Sequence, residues 1–107
     1  MKKLILIAMM AAVSSGAYAY KDGVYTGTGN GNASQIEVQV TVAKGRVAKV
    51  DVLKQGETDM IFAAVESNLP AAVVKANGLK GVDTVSGATN SSKGFLEAVR
   101  NALAKAK

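Results

Sequence analysis

The stretch Gly81-Val82-Asp83-Thr84-Val85-Ser86-Gly87-Ala88-Thr89-Asn90-Ser91-Ser92-Lys93-Gly94 holds the residues best suited to chemistry. It gathers four hydroxyls (Ser86, Thr89, Ser91 and Ser92) around the small residues Gly87 and Ala88, with Lys93 beside them. It leads into a helical pattern. A helix N-terminus presents unpaired N–H groups and a partial positive charge, so it can hold a phosphate. Gly87 and Ala88 would let the backbone approach such an anion closely. The same residue types also cap helices with no ligand present, and spacing alone leaves both readings open. Gly-Lys-Ser/Thr is absent, so this is no Walker loop. Gly27-x-Gly29-x-Gly31 is no dinucleotide fingerprint either, since a strand follows it rather than a helix.

Composition narrows the chemistry further. The 107 residues include no Cys and no His. That excludes a thiolate nucleophile, a Ser-His-Asp arrangement, Cys-ligated iron–sulfur clusters, His-ligated haem and a conventional zinc site. Redox chemistry here would need an organic cofactor. The net charge of +5 is mild, and the three Tyr and two Phe are the only aromatics. A nucleic-acid platform would want a basic stripe with interleaved aromatics, so no nucleic-acid partner is expected.

Lys2 and Lys3, the apolar run Leu4 to Val13 and Ala17-Tyr18-Ala19 follow the three-part pattern of a secretory signal. The run is too short to span a bilayer, which takes about 20 residues. Cleavage is expected after Ala19, leaving residues 20–107 as one domain with no stable membrane anchor, in the periplasm or secreted. It would remove two of the thirteen Lys and Arg and none of the eight acidic residues, leaving +3. A domain this small is marginally stable alone. With no Cys to form a disulfide, a bound ligand is one physical way to hold it folded.

The remaining pattern divides into a β half and an α half. Asp22 to Asn32 is Gly-rich and reads as a first strand ending in a flexible turn. Gln35 to Val42 alternates, with Ile36, Val38, Val40 and Val42 on one face. Ala43 to Arg46 reads as a hairpin turn with Gly45 left-handed. A return strand spans Val47 to Leu53, with a bulge near Ala48. Helix then starts at Thr58, capped by Thr58 or Asp59, with Ile61, Ala64, Val65 and Leu69 at helical spacing. Pro70 is expected to end or restart it, and a short second helix over Ala71 to Ala76 to stop at Asn77-Gly78. A last helix from about Lys93 to Ala104 buries Phe95, Val99, Ala102 and Leu103. Phe62, Phe95 and Met60 are assigned to the core, Met60 with a soft ligand contact as its other option. The fold class is α+β: a small antiparallel sheet packed on one face by two or three helices.

Val82-Asp83-Thr84-Val85-Ser86-Gly87-Ala88-Thr89-x-Ser91-Ser92 resembles the signature of the FMN-binding domain family. That family includes periplasm-facing flavoprotein subunits of ion-pumping NADH:quinone and ferredoxin oxidoreductases, and domains of extracellular electron-transfer systems. Gly23-Val24-Tyr25-Thr26-Gly27 resembles its opening strand, Gly45 to Val52 its hairpin strand, and Glu57-Thr58 its Glu-Thr pair. Ala98-Val99 and Ala102-Leu103 match its C-terminal helix. These four segments in order, together with the signature, make this a whole-domain resemblance. The chain departs from it at Asp59-Met60, where members often carry Pro-Gly.

The resemblance implies FMN held covalently through a phosphoester to Thr89. A separate Mg-dependent flavin transferase makes that bond from FAD, with Asp83 part of its recognition pattern. Ser86, Gly87 and Ala88 are implied phosphate contacts, with the Ser91 and Ser92 hydroxyls beside them. Glu57 and Thr58 are implied flavin-pocket residues. Read without the resemblance, Glu57 is equally a solvated loop carboxylate and Asp83 an ordinary turn residue. The expected function is an exported electron carrier between membrane or periplasmic redox proteins, rather than an enzyme with its own substrate. Two alternatives stay open: reversible FMN binding for storage or sensing, and a cofactor-free secreted interaction module.

Overall fold

The structure, a computed structural model, describes residues 20–107. The expected signal segment and its cleavage site lie outside the described residues. Three strands form an antiparallel meander in the order β1-β2-β3: β1 (Gly23–Asn30), β2 (Gln35–Ala43) and β3 (Arg46–Lys54). Two helices, α1 (Asp59–Ala76) and α2 (Thr89–Ala104), follow and cover one face. The α+β architecture is the expected one.

Strict alternation makes β2 the centre of the core. Ile36, Val38, Val40 and Val42 are all buried, and their partners Val47, Val50 and Val52 continue the same face on β3. Thr41 pairs with Lys49 and Val42 with Val47, so Ala48 is the extra residue of the expected bulge. A second irregularity leaves Leu53 unpaired between Val52 and Lys54. At the hairpin, Lys44 joins Gly45 at positive φ (56° and 75°), the two-residue turn whose twist suits antiparallel strands.

As expected, a Gly-rich first strand runs to Asn30 and ends in a turn, residues 31–34. Gly27 and Gly29 face α2, and a Cβ on either would collide with the carbonyl oxygen of Ala98 or Gly94. Glycine here lets strand and helix backbones touch. The outer edge of β1 is covered by side chains of α2 and the residue after it. Glu97 Oε1 accepts from the Asn30 N–H (2.8 Å), Asn101 Nδ2 donates to Thr28 O (2.7 Å) and Lys105 Nζ donates to Thr26 O (2.6 Å). These residues are spaced at i, i+4, i+8, so one stripe of α2 answers the alternate backbone groups of an unpaired strand edge.

The helices correct three expectations. First, Pro70 neither ends nor restarts α1, which is continuous for 18 residues. An interior Pro costs about 3 kcal/mol, but Phe62, Val65, Leu69 and Val73 form one buried stripe through it, and breaking the helix would expose half of that stripe. α1 ends where expected: Asn77 turns left-handed, and the Asn77 and Gly78 N–H groups bond Val74 O and Val73 O. Second, Phe62 rather than Ile61 leads the stripe, and Met60 is not in the core at all, being 87% exposed. Met60 stands about 200° around the helix from Phe62, on the outer side. Third, α2 starts at Thr89, four residues before Lys93.

Candidate functional site

The early start of α2 changes what the hydroxyl cluster is. Its N-cap is Ala88, which offers no capping oxygen. Thr89, Ser91 and Ser92 are therefore the first turn itself, not the cap. Ser91 and Ser92 are buried, and each holds a neighbouring loop. Ser91 Oγ donates to Glu57 Oε1 (2.6 Å), and Ser92 Oγ accepts from the Val85 N–H (3.0 Å). Ser92 N–H closes the first helical bond onto Ala88 O. The N–H groups of Thr89, Asn90 and Ser91, ahead of it, point out of the helix end.

Glu57 ties the site together. It lies between β3 and α1 and is only 6% exposed. Oε1 accepts from the Asn32 N–H (2.7 Å) and Ser91 Oγ, while Oε2 accepts from the Ala33 N–H (2.9 Å) and Ser34 Oγ (2.8 Å). Burial by itself raises the pKa of this carboxyl, but the bonds from Ser91, Ser34, Ala33 and Asn32 outweigh it and hold the value at about 2. The carboxylate is therefore charged and its oxygens are occupied. It joins the β1–β2 loop, the segment before α1 and the start of α2. Gly31 has no room for a side chain, since a Cβ would stand 2.8 Å from the Glu57 carboxyl carbon.

Those three segments wall a cleft of about 280 Å³, lined by Asn32, Glu57, Thr58, Ile61, Gly87, Ala88, Thr89, Asn90 and Ser91. Six of the residues named from the sequence thus meet there: Glu57, Thr58, Gly87, Ala88, Thr89 and Ser91. Ser86 and Asp83 are exposed outside the lining, and Ser92 is behind it with its hydroxyl engaged. Gly87 adopts φ +83°, and a Cβ there would meet nothing within 4 Å, so the backbone lies open to the cleft. Thr89 is exposed at the mouth. Phe62 and Phe95 are buried in the core, where the sequence put them.

Over residues 31–104 the sequence matches the FMN-binding domain. The chain belongs to that family. It is a flavin-binding protein. The match begins just after β1, so the strand that approaches α2 through its glycines lies before it.

The site residues fit an FMN phosphate. An uncapped helix start, an open glycine backbone and exposed hydroxyls at one cleft are the donor set a phosphate takes. Sequence reasoning missed three cleft residues. Asn32 lies in a loop read as a flexible turn, Ile61 was placed in the core stripe, and Asn90 is the unspecified position of the motif. Asn90 Nδ2 donates to Asn32 Oδ1 (3.1 Å), bridging two walls. The polar type of Asn32 in a Gly-rich turn was the only signal available.

Proposed function

We propose that this FMN-binding domain carries its flavin covalently on Thr89 and works as an exported electron carrier. The position of Thr89 carries the reading. It is the first residue of α2, exposed, and on the same cleft as Glu57, Thr58 and Ser91. A modifying enzyme can reach an exposed hydroxyl at a helix start. In the attachment step Thr89 Oγ attacks the riboflavin-side phosphorus of FAD. The new O–P bond forms as the pyrophosphate bond breaks, AMP leaves, and the threonine proton passes to the transferase. Both Glu57 oxygens accept hydrogen bonds within the fold, so this domain supplies the acceptor and the transferase supplies the base.

The linked phosphate keeps one negative charge. The N–H groups of Thr89, Asn90 and Ser91 and the dipole of α2 stabilise it, typically by about 0.3–1 kcal/mol from the dipole term. Glu57 keeps the three walls in register. When bound, FMN supplies one- or two-electron transfer, and the sequence has no Cys to offer thiol–disulfide redox in its place. A tether suits a carrier outside the cytoplasm, where a dissociated cofactor is diluted away.

Intact mass after co-expression with a flavin transferase tests the reading. One added FMN, less water, retained through denaturation is the expected result. An unmodified protein that binds FMN reversibly supports storage or sensing instead, and one that binds no flavin supports an interaction module.

A further inference from the structure

The early start of α2 places Lys93 one helical turn after Thr89, at i+4 from the first residue of the helix. Residues four apart share a face, with Cβ atoms about 5–6 Å apart. Helical side chains lean towards the N-terminus, so a side chain at position 93 covers the turn that begins with Thr89. Both residues are exposed, whereas Ser91 and Ser92 between them are buried. Nothing in the fold answers the charge of Lys93. Among the described residues it makes no hydrogen bond and no ion pair. Glu97, one turn further on, accepts from the Asn30 N–H of β1 instead. The first turn of α2 carries no acidic side chain. The cleft lining holds one carboxylate, Glu57, and both its oxygens are taken. A cation this close to a helix N-terminus adds to the positive end of the dipole rather than offsetting it.

We infer that the Lys93 ammonium binds the FMN phosphate and selects phosphorylated flavin, which deepens the proposed reading and rests on its placing the phosphate at the start of α2. A phosphate seated on the Thr89, Asn90 and Ser91 N–H groups lies within the sweep of a four-carbon side chain from the next turn. The helix end and the ammonium then face one anion from two sides, and the repulsion between them is replaced by attraction to it. The ammonium is a compact charge with three rotatable donors, so it follows the phosphate whether or not the Thr89 oxygen is esterified. FMN carries this group and riboflavin does not, although the two share one ring system. Lys93 therefore discriminates between them without touching the ring.

Protein made without a flavin transferase is titrated with FMN and with riboflavin, and the ring fluorescence is read. The parent should bind FMN more tightly than riboflavin. Lys93→Gln should weaken FMN binding about two- to fivefold, the usual worth of an exposed ion pair, and leave riboflavin binding unchanged. High salt should shrink that difference, and Lys93→Arg should restore the preference for FMN. Lys107→Gln removes the same charge beyond the far end of α2 and should bind both flavins as the parent does. Without ligand, Lys93→Gln should melt no lower than the parent, since it takes a cation away from a positive helix end. A parent that does not prefer FMN to riboflavin overturns the inference. So do unchanged FMN binding by Lys93→Gln, equal losses for both flavins, an equal loss in Lys107→Gln, or a lower melting point for ligand-free Lys93→Gln. Intact mass after co-expression with the transferase reports separately on the Thr89 bond. A parent that gains no covalent FMN but loses reversible FMN binding on Lys93→Gln refutes the bond and keeps the ion pair; the converse result refutes the ion pair alone.

Discussion

Ser91 Oγ donates to Glu57 Oε1 at 2.6 Å, joining the first turn of α2 to the segment before α1 across 34 residues of sequence. The same carboxylate takes two backbone N–H groups of the β1–β2 loop, so one buried charge sets the spacing of all three cleft walls. Glu57→Gln keeps the shape but turns one acceptor into a donor. Ser91 and Ser34 can rotate their hydroxyls away, whereas the Asn32 and Ala33 N–H groups cannot. One of these is then left facing an amide N–H. The expected loss is about 2–3 kcal/mol, read from urea unfolding. A change below about 0.5 kcal/mol, the range of ordinary surface substitutions, would show that the network carries no weight.

The low pKa of Glu57 makes stability depend on acid. The folded value of about 2 lies below the ordinary 4.5, so the folded state favours the charged form. Its contribution is fully present above the unfolded value and declines as pH falls from about 4.5 towards 2. The total is on the order of 3 kcal/mol for a group this well buried. Unfolding midpoints in urea should fall through that window in the parent and fall less in Glu57→Gln. Parallel profiles for the two proteins would assign the acid sensitivity to other carboxylates.

Gly29→Ala tests the contact between β1 and α2. The added Cβ meets the Gly94 carbonyl oxygen and the Ala98 backbone nitrogen, neither of which can move without shifting the helix. Overpacking of this kind typically costs about 1–3 kcal/mol, and a backbone clash belongs at the upper end. Gly81→Ala is the control. Unlike Gly29 it has positive φ, and its Cβ would meet nothing within 4 Å, so only the left-handed backbone is penalised, by roughly 1–2 kcal/mol. Thermal melts should rank Gly29→Ala well below Gly81→Ala.

Local patterning made β2, the hairpin and the Ala48 bulge legible, because a period of two with one buried face admits a single register. Why Gly27 and Gly29 must be glycine was not legible, because the helix that needs the space lies about 70 residues away. Pro70 misled for the opposite reason: its local cost is real, and the stripe that outweighs it depends on tertiary packing. At the site, the motif located the phosphate-type donors, yet Asn32 comes from a loop 57 residues before Thr89, held there by the Glu57 network and by the bond from Asn90. Nothing local in α2 shows that Glu97 and Asn101 face a strand edge.

Pro70→Ala should stabilise the protein. Pro70 sits inside α1, half-buried, and supplies no N–H to the preceding turn. Alanine restores that bond and the better propensity, together about 3 kcal/mol, less about 0.4–1 kcal/mol for the freer unfolded chain. Some ring packing is lost as well, so a net gain of about 1–2 kcal/mol is expected in urea unfolding. A loss of stability would mean that α1 is shaped around the proline ring.

Thr89 provides the sharpest test of covalent attachment, because chemistry and fold can be separated there. Its side chain is exposed and the helix start is held by Ser91 and Ser92, so Thr89→Ala should shift stability by no more than about 0.5 kcal/mol. The same substitution removes the acceptor oxygen and should abolish the FMN mass addition completely. Thr89→Ser keeps that oxygen one bond from Cβ and should restore the addition, at a reduced rate if the transferase also grips the methyl group. Ser86→Ala, outside the cleft lining, should leave the addition intact. If Thr89→Ala still gains one FMN and Ser91→Ala loses it, the acceptor is the neighbouring hydroxyl, and the buried bond to Glu57 must open for the reaction.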